Sequence, residues 1–277
     1  MKNYQKEIAC KSINDKKPSE QLYVIGITGT NGKTTVAYLI GEVLKAAGYN
    51  PFVLGTLNSG SRDLSTPEAE DIKKFMQTHL EQGGTHFVME VTSEGIDQDR
   101  ILGIDFDVKL LTNITQDHLD YHQTIEKYRA VKLSFMHAGD AHKIYPENFA
   151  ETSIDFPIQL LGHFNFLNIQ AAVTILRHIG IAEKYIYETL SSCQAPRGRL
   201  ENIDKGQNYM ALIDYAHTPD AILNVLTTAK KIAIGREGRL LALLAVGEIE
   251  IVENGPKWVK LPVKLLIIWS LRMIIPA

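Results

Sequence analysis

The stretch from residue 22 to 47 narrows the possible folds more than any other part of this chain. Leu22 to Ile27 is a short apolar run that reads as a strand, and it leads into Gly26-Ile27-Thr28-Gly29-Thr30-Asn31-Gly32-Lys33-Thr34-Thr35. Lys33 to Ala47 then reads as a helix, with Val36, Leu39, Ile40, Val43 and Leu44 on one face and Gly48 as its stop. A strand, a glycine turn and a helix in that order gather backbone N–H groups and the positive end of a helix dipole around one point, which makes an anion site. Gly29, Thr30, Asn31, Gly32, Lys33, Thr34 and Thr35 are therefore candidate phosphate-binding residues. Lys33 supplies a point charge for β- and γ-phosphates, and the Thr34 hydroxyl suits Mg²⁺. The general phosphate-loop pattern asks for glycine where this chain has Ile27, so the match to that motif is incomplete.

Short apolar runs alternate with helical stretches beyond this point, which predicts an α/β fold with a mostly parallel sheet. Strands are expected at 52–54, 86–91 and 108–112, and helices at 67–81, 125–137, 168–179 and 183–192. Residues 139–157 read as irregular. Pro196-Arg197-Gly198 breaks a helix, and strand-like runs follow at 200–203 and 209–214, so a second, incomplete α/β unit is expected from residue 198. These runs divide the chain into a polar lead at 1–21, a central domain carrying the glycine loop at 22–197, a second unit at 198–243 and a tail at 244–277.

The net charge of -3 gives no field to gather nucleic acid or an anionic membrane, so small-molecule chemistry is the better expectation. Cys10 and Cys193 are far apart and lack metal-ligand spacing. The N-terminus lacks the apolar stretch of a signal peptide, and the apolar end from Leu261 is short and interrupted by Lys264 and Arg272. A cytoplasmic monomer is expected.

Glu90 ends a strand in Met89-Glu90-Val91-Thr92-Ser93, at the sheet edge where ligands of open α/β sheets sit. Leu111-Thr112-Asn113-Ile114-Thr115-Gln116-Asp117-His118-Leu119-Asp120-Tyr121-His122 sets titratable groups just after another strand, an expensive arrangement unless they bind something. Taken alone, Ser65-Thr66-Pro67 reads as a helix N-cap with proline at the first position, and Asn168 as an ordinary N-cap.

The loop from Gly26 to Thr35 resembles that of the Mur ligase family more closely than a general NTPase loop, and the resemblance runs with gaps from about Lys17 to Arg239. It implies that ATP and Mg²⁺ are bound. One Mg²⁺ would be held by Thr34 and Glu90, and a second by His118 and a carbamylated Lys132, an oxygen ligand suited to a hard cation. Lys33, Lys132 and His118 would be the catalytic residues. The family's adenine motif is similar to Leu161 to Asn168, which implicates Asn165 and Asn168. Its hinge motif is similar to Arg197-Gly198-Arg199-Leu200-Glu201, from which Arg199 could reach a phosphate.

Asp214-Tyr215-Ala216-His217-Thr218-Pro219-Asp220-Ala221 resembles the tripeptide synthetases of that family, which implies that Asp214 and His217 face the nucleotide. Ser65, Thr66 and Ser93 would touch the substrate. The implied reaction activates a carboxylate of UDP-N-acetylmuramoyl-L-alanyl-D-glutamate as an acyl phosphate, which an amino acid's amine then attacks. One departure concerns Thr92-Ser93-Glu94, where the family usually has Ser-Ser-His.

Beyond Arg239 the chain matches nothing in the family in this frame. Codons compatible with Leu244 onward, read one base earlier, can encode Phe-Gly-Cys-Gly-Gly-Asp-Arg-Asp, and later runs can encode Gly-Lys-Arg-Pro-Lys-Met-Gly and Val-Ile-Thr-Asn-Asp-Asn-Pro. These are family motifs in family order, so a frameshift between about Arg239 and Leu244 is expected, with an unselected tail after it. A non-catalytic ATP-binding remnant is the competing reading. A folylpolyglutamate synthase is a third, disfavoured by the Asp214 to Ala221 motif.

Overall fold

The computed structural model describes residues 16–58, 64–244 and, as backbone, 271–275. Two compact units form, one from residues up to 158 together with 167–193, the other from 159–166 together with 194 onward.

The first unit begins with α1 (Pro18–Gln21), β1 (Tyr23–Thr28), α2 (Lys33–Ala46), β2 (Pro51–Leu54), α3 (Ala69–Glu81) and β3 (His86–Glu90). It continues through α4 (Ser93–Asp97), β4 (Val108–Leu111), α5 (Leu119–His122), α6 (Ile125–His137), β5 (His142–Ile144) and α7 (Pro146–Phe149). Most of α8 (His163–His178) and all of α9 (Glu183–Leu190) complete it. Five parallel strands lie in the order β2-β3-β1-β4-β5, which bears out the expected α/β class. The central strands are buried on both faces and so read as continuous apolar runs. Val24, Ile25, Ile27, Phe87, Val88, Met89, Val108 and Leu110 are all fully buried. Val36, Leu39, Ile40, Val43 and Leu44 of α2 are likewise sealed, and each such side chain contributes roughly 1.5–3 kcal/mol.

Register sets the site. Ile27 lies opposite both Glu90 and Leu110, and Leu54 lies opposite Met89. The segments that leave β1, β2, β3 and β4 therefore emerge together at one carboxyl edge, where the order of strands reverses around β1.

Three expectations are corrected here. Residues 139–157 are not wholly irregular, because β5 pairs with β4 from His142 to Ile144 and α7 follows. Its polar side chains suit an edge strand, which hid it from an apolar-run criterion. Helix α3 starts at Ala69 with Glu68 as its N-cap, so neither Ser65 nor Thr66 caps it and Pro67 is not its first residue. The Ser65 and Thr66 side chains are committed instead to Thr56 and to the end of β3. Helix α8 starts at His163, five residues early, with Asn165 and Phe166 N–H donating to Gly162 O. Asn168 is therefore inside the helix and not its N-cap.

The second unit holds β6 (Glu201–Ile203), β7 (Met210–Asp214), α10 (Pro219–Gly235), β8 (Leu241–Leu244) and β9 (Leu271–Ile275). Its strands pair antiparallel in the order β6-β7-β9-β8. Val225, Ala229 and Ala233 of α10 pack with Leu200 and Leu212. Of the tail expected to be out of frame, the backbone of 271–275 pairs with both β7 and β8, while 245–270 and 276–277 lie outside the described residues. No helix among the described residues is long and apolar enough to cross a membrane.

Candidate functional site

Gly29 to Gly32 joins β1 to α2. Gly29 has φ 138° and a Cβ there would sit 1.9 Å from Thr112 Oγ1; Gly32 has φ 91° and its Cβ would sit 2.3 Å from Asn168 Oδ1. Conformation and space both demand glycine at these two positions. The loop is braced by the segment after β4. Asn113 accepts from Thr30 N through its carbonyl at 2.9 Å and from Asn31 N through its side chain at 3.0 Å. The Asn113 amide and the Thr112 hydroxyl donate back to Asn31 O at 3.0 and 2.6 Å. Thr30 Oγ1 accepts from Thr115 N at 3.0 Å and lies 3.0 Å from the Tyr128 hydroxyl. Thr112, Asn113 and Thr115 were not singled out from sequence; the polar run directly after a strand was the only signal for them.

Two lysines converge on this loop. Lys33 Nζ donates to Gly29 O at 2.9 Å and Thr30 O at 2.8 Å. Lys132, on α6, is buried; its Nζ donates to the same Gly29 O at 3.0 Å and lies 4.6 Å from the Tyr128 ring centroid. Burial first, and the Lys33 charge second, hold Lys132 well below the ordinary lysine range. Sequence alone would have made it a solvated helix lysine.

Glu90 is buried at the end of β3. Its Oε1 accepts from Thr56 N at 2.8 Å, and its Oε2 from Thr34 Oγ1 at 3.1 Å and Thr56 Oγ1 at 3.4 Å. Thr56 Oγ1 lies 2.8 Å from Ser65 Oγ. All the donors to this carboxylate among the described residues are neutral, although a buried charge is costly unless a counter-charge meets it. A buried carboxylate beside two threonine hydroxyls and a phosphate loop is a hard-oxygen set that fits Mg²⁺ with phosphate oxygens.

Thr66 is buried and fastens the neighbouring loop to β3. Its hydroxyl donates to Glu90 O at 3.0 Å and accepts from Thr92 N at 2.9 Å, while Arg100 Nη1 donates to Thr66 O at 3.0 Å. Arg100 was also missed from sequence. Thr92 Oγ1 accepts from Gly95 N and caps α4, which places Ser93 and Glu94 in its first turn. Ser93 Oγ donates to Glu94 Oε2 at 3.1 Å.

His118 stands between two carboxylates. Nδ1 is 2.6 Å from Glu94 Oε1, and Nε2 is 3.4 Å from Asp117 Oδ2. Its backbone is left-handed, with φ 50°, a strained setting typical of functional positions. The hydrogen bond to Glu94 raises the His118 pKa against the opposing effect of burial. Burial pushes the Glu94 carboxyl up, but the hydrogen bond and charge of His118 bring it down to about 2.

In the second unit, Asp214 is buried, and its carboxylate accepts from Leu200 N at 2.6 Å and Ala216 N at 2.7 Å. Burial raises its pKa, partly offset by Arg199. Those two bonds, with Gly198 N donating to Glu201 at 2.8 Å and Gly198 O accepting from Tyr215 N at 2.8 Å, lock the hinge-like turn around Leu200, which has φ 52°. The Arg199 guanidinium lies 5.0 Å from the Tyr215 ring centroid. His217 is exposed, with Nδ1 3.0 Å from Tyr215 O. Asn165 donates to Leu161 O at 2.8 Å.

Fold and site together define an α/β domain with a phosphate-loop-like glycine turn at the carboxyl edge of its parallel sheet. Residues 27–146 match the family model described as the Mur ligase middle domain. It is 32% identical over 276 residues to the UDP-N-acetylmuramoyl-L-alanyl-D-glutamate--2,6-diaminopimelate ligase of Bacillus cereus, covering 79% of this chain and 56% of that protein. It is 30% identical over 306 residues to the enzyme of that name from Bacillus licheniformis, covering 90% and 62%. The chain thus spans about three-fifths of the length of these curated relatives. A solved structure of a UDP-N-acetylmuramoyl-L-alanyl-D-glutamate--2,6-diaminopimelate ligase superposes with a TM-score of 0.60 at 26% identity, over 76% of this chain and 54% of that one. A structure described as an FPGS-AMPPCP-folate complex superposes at 0.57 with 20% identity, over 78% and 72%, which shows a shared fold alone.

Proposed function

We propose that this chain carries the ATP-handling core of an amide ligase that joins an amino acid to UDP-N-acetylmuramoyl-L-alanyl-D-glutamate through an acyl phosphate. The observation that carries the reading is the buried Glu90 carboxylate, bonded to Thr34 and Thr56 at the mouth of a glycine loop that Lys33 and Lys132 approach. Phosphoryl transfer gives a protein little covalent work, so catalysis is positioning and charge stabilisation.

In this reading the N-terminus of α2 and the Lys33 ammonium take the β- and γ-phosphates. A bound Mg²⁺ would supply charge neutralisation and alignment of the phosphate oxygens, held by Thr34 and Glu90 at one position and by His118 with Lys132 at a second. A substrate carboxylate oxygen attacks the γ-phosphorus, the bond to the β–γ bridging oxygen breaks, and ADP leaves. The amine then displaces phosphate from the acyl carbon and loses a proton. Buried Lys132, whose pKa is lowered first by burial, is suited to capture CO₂ through its neutral amine as a carbamate with release of a proton. Ser65, Thr66 and Ser93 are proposed to meet the acceptor substrate. The nucleotide roles of Asn165, Asn168, Arg199, Asp214 and His217 rest on their motifs.

The test supplies ATP, Mg²⁺, the UDP-muramoyl dipeptide and single amino acids, and follows phosphate release and amide formation. Amide formed only in the presence of all components is expected. Nucleotide binding with no phosphate release under any combination would select a non-catalytic nucleotide-binding protein instead.

A further inference from the structure

We propose that Glu94 is a positioning residue that holds His118 as its Nδ1–H tautomer and so presents Nε2, beside the Asp117 carboxylate, to a divalent cation. The inference rests on the reading above that His118 is a cation ligand, and it gives a task to the carboxylate found where the family resemblance expects an imidazole.

Three observations carry it. First, Glu94 Oε1 lies 2.6 Å from His118 Nδ1, a charge-assisted hydrogen-bond distance, so the proton on that nitrogen is fixed. The partner of one ring nitrogen decides which nitrogen is left to ligate, and ligating histidines commonly give their other N–H to a carboxylate. Second, neither side chain is free to drift. Glu94 sits in the first turn of α4, behind the Thr92 cap, and Thr92 N is tied through the Thr66 hydroxyl to Glu90 O. Glu94 Oε2 also accepts from Ser93, and His118 N donates to Asp117 Oδ1 at 2.9 Å. The strand end that aims Glu90 therefore also aims the group that orients His118.

Third, His118 Nε2 is 3.4 Å from Asp117 Oδ2. That is long for a hydrogen bond but near the roughly 3 Å separation of adjacent ligand atoms around a cation with bonds of about 2.1 Å. Among the described residues no three His, Cys, Asp or Glu side chains form a closed metal cage. A cation here would complete its shell with phosphate oxygens and water, as Mg²⁺ in nucleotide sites does.

The test uses the full chain with ¹⁵N-labelled histidine, reading the ring nitrogens of His118 by NMR and Mn²⁺ binding by EPR in the presence of AMPPCP. His118→Gln identifies both the His118 resonances and the His118-dependent Mn²⁺ site. Read at a pH above the His118 titration, so that the imidazole is neutral, wild type is expected to show the Nδ1–H tautomer. Glu94→Ala should shift it toward Nε2–H and weaken the His118-dependent Mn²⁺ site about 10- to 100-fold, leaving the Glu90-dependent site unchanged. Glu94→Gln, whose amide oxygen still accepts from Nδ1–H, should retain the tautomer and recover part of the affinity; it is the variant read if Glu94→Ala does not fold. An unchanged tautomer or unchanged His118-dependent affinity in Glu94→Ala overturns the proposal. So does a Glu94→Gln protein with no Nδ1–H tautomer, or a wild type lacking a His118-dependent site. AMPPCP affinity in the same samples reports separately on the nucleotide-binding reading.

Discussion

Replacing Glu90 with glutamine separates a carboxylate kept for a cation from one kept for stability. Glu90 Oε1 accepts from the Thr56 amide at 2.8 Å, and Oε2 accepts from two threonine hydroxyls at 3.1 and 3.4 Å. In Glu90→Gln the amide oxygen can keep the Thr56 N–H bond. The new NH₂ can donate to Thr34 and Thr56, because hydroxyls accept as well as donate and Thr56 already lies 2.8 Å from Ser65 Oγ. The loss is the difference between charged and neutral hydrogen bonds, about 1–2 kcal/mol over the set. The gain is relief from burying a carboxylate that meets only neutral donors among the described residues, about 2 kcal/mol. Ligand-free Glu90→Gln should therefore be as stable as wild type or about 1 kcal/mol more stable.

The cation-dependent part moves the other way. Mg²⁺ with AMPPCP at about a hundred times its Kd should stabilise wild type by about 2.7 kcal/mol, a rise in melting temperature of about 5–10 °C for a protein near this size. In Glu90→Gln most of that rise should vanish. Differential scanning calorimetry with and without Mg²⁺·AMPPCP reads both quantities on one sample. A variant that melts several degrees lower without ligand yet keeps the full Mg²⁺-dependent rise would refute the reasoning, because Glu90 would then be a structural carboxylate.

Gly29→Ala should abolish measurable AMPPCP binding by calorimetry and lower the melting temperature, since a Cβ would sit 1.9 Å from Thr112 Oγ1 in a backbone conformation closed to alanine. Lys109→Met should destabilise the protein by about 2–4 kcal/mol in urea unfolding, because Lys109 Nζ donates to Phe135 O and Ala138 O at 2.8 and 2.6 Å and satisfies the end of α6. Burial, with His79 nearby, lowers the His86 pKa to about 4 from 6.5. The unfolded chain then binds the extra proton between those values, so stability falls as pH drops through that window, by about 2 kcal/mol from pH 8 to pH 5. His86→Leu should flatten that part of the pH profile in denaturant titrations, and an unchanged slope would refute the assignment.

The sequence by itself determined the class of fold and the candidate loop, because both depend on local periodicity. Continuous apolar runs are the mark of strands covered on both faces, and a glycine turn between a strand and an amphipathic helix has few other uses. Glu90 and the segment from Thr112 to His122 were legible for the same reason, since they directly follow strands. Other features depend on contacts between residues distant in the chain. β5 is strand-like only because β4 offers it a partner edge, and the Ser65 to Pro67 segment lost its capping role because β3 competes for the Thr66 hydroxyl.

Lys132 shows the limit most plainly. Its helix position reads as a solvated lysine, yet the fold buries it against Gly29, 103 residues away in the chain. Glu94 is the converse case. In sequence it is a departure from a motif, and only the approach of His118 from after β4 turns it into a partner 2.6 Å from an imidazole nitrogen. Hydrogen-bond partners across a sheet edge are set by strand register and by the course of the loops beyond it, and local sequence pattern carries neither.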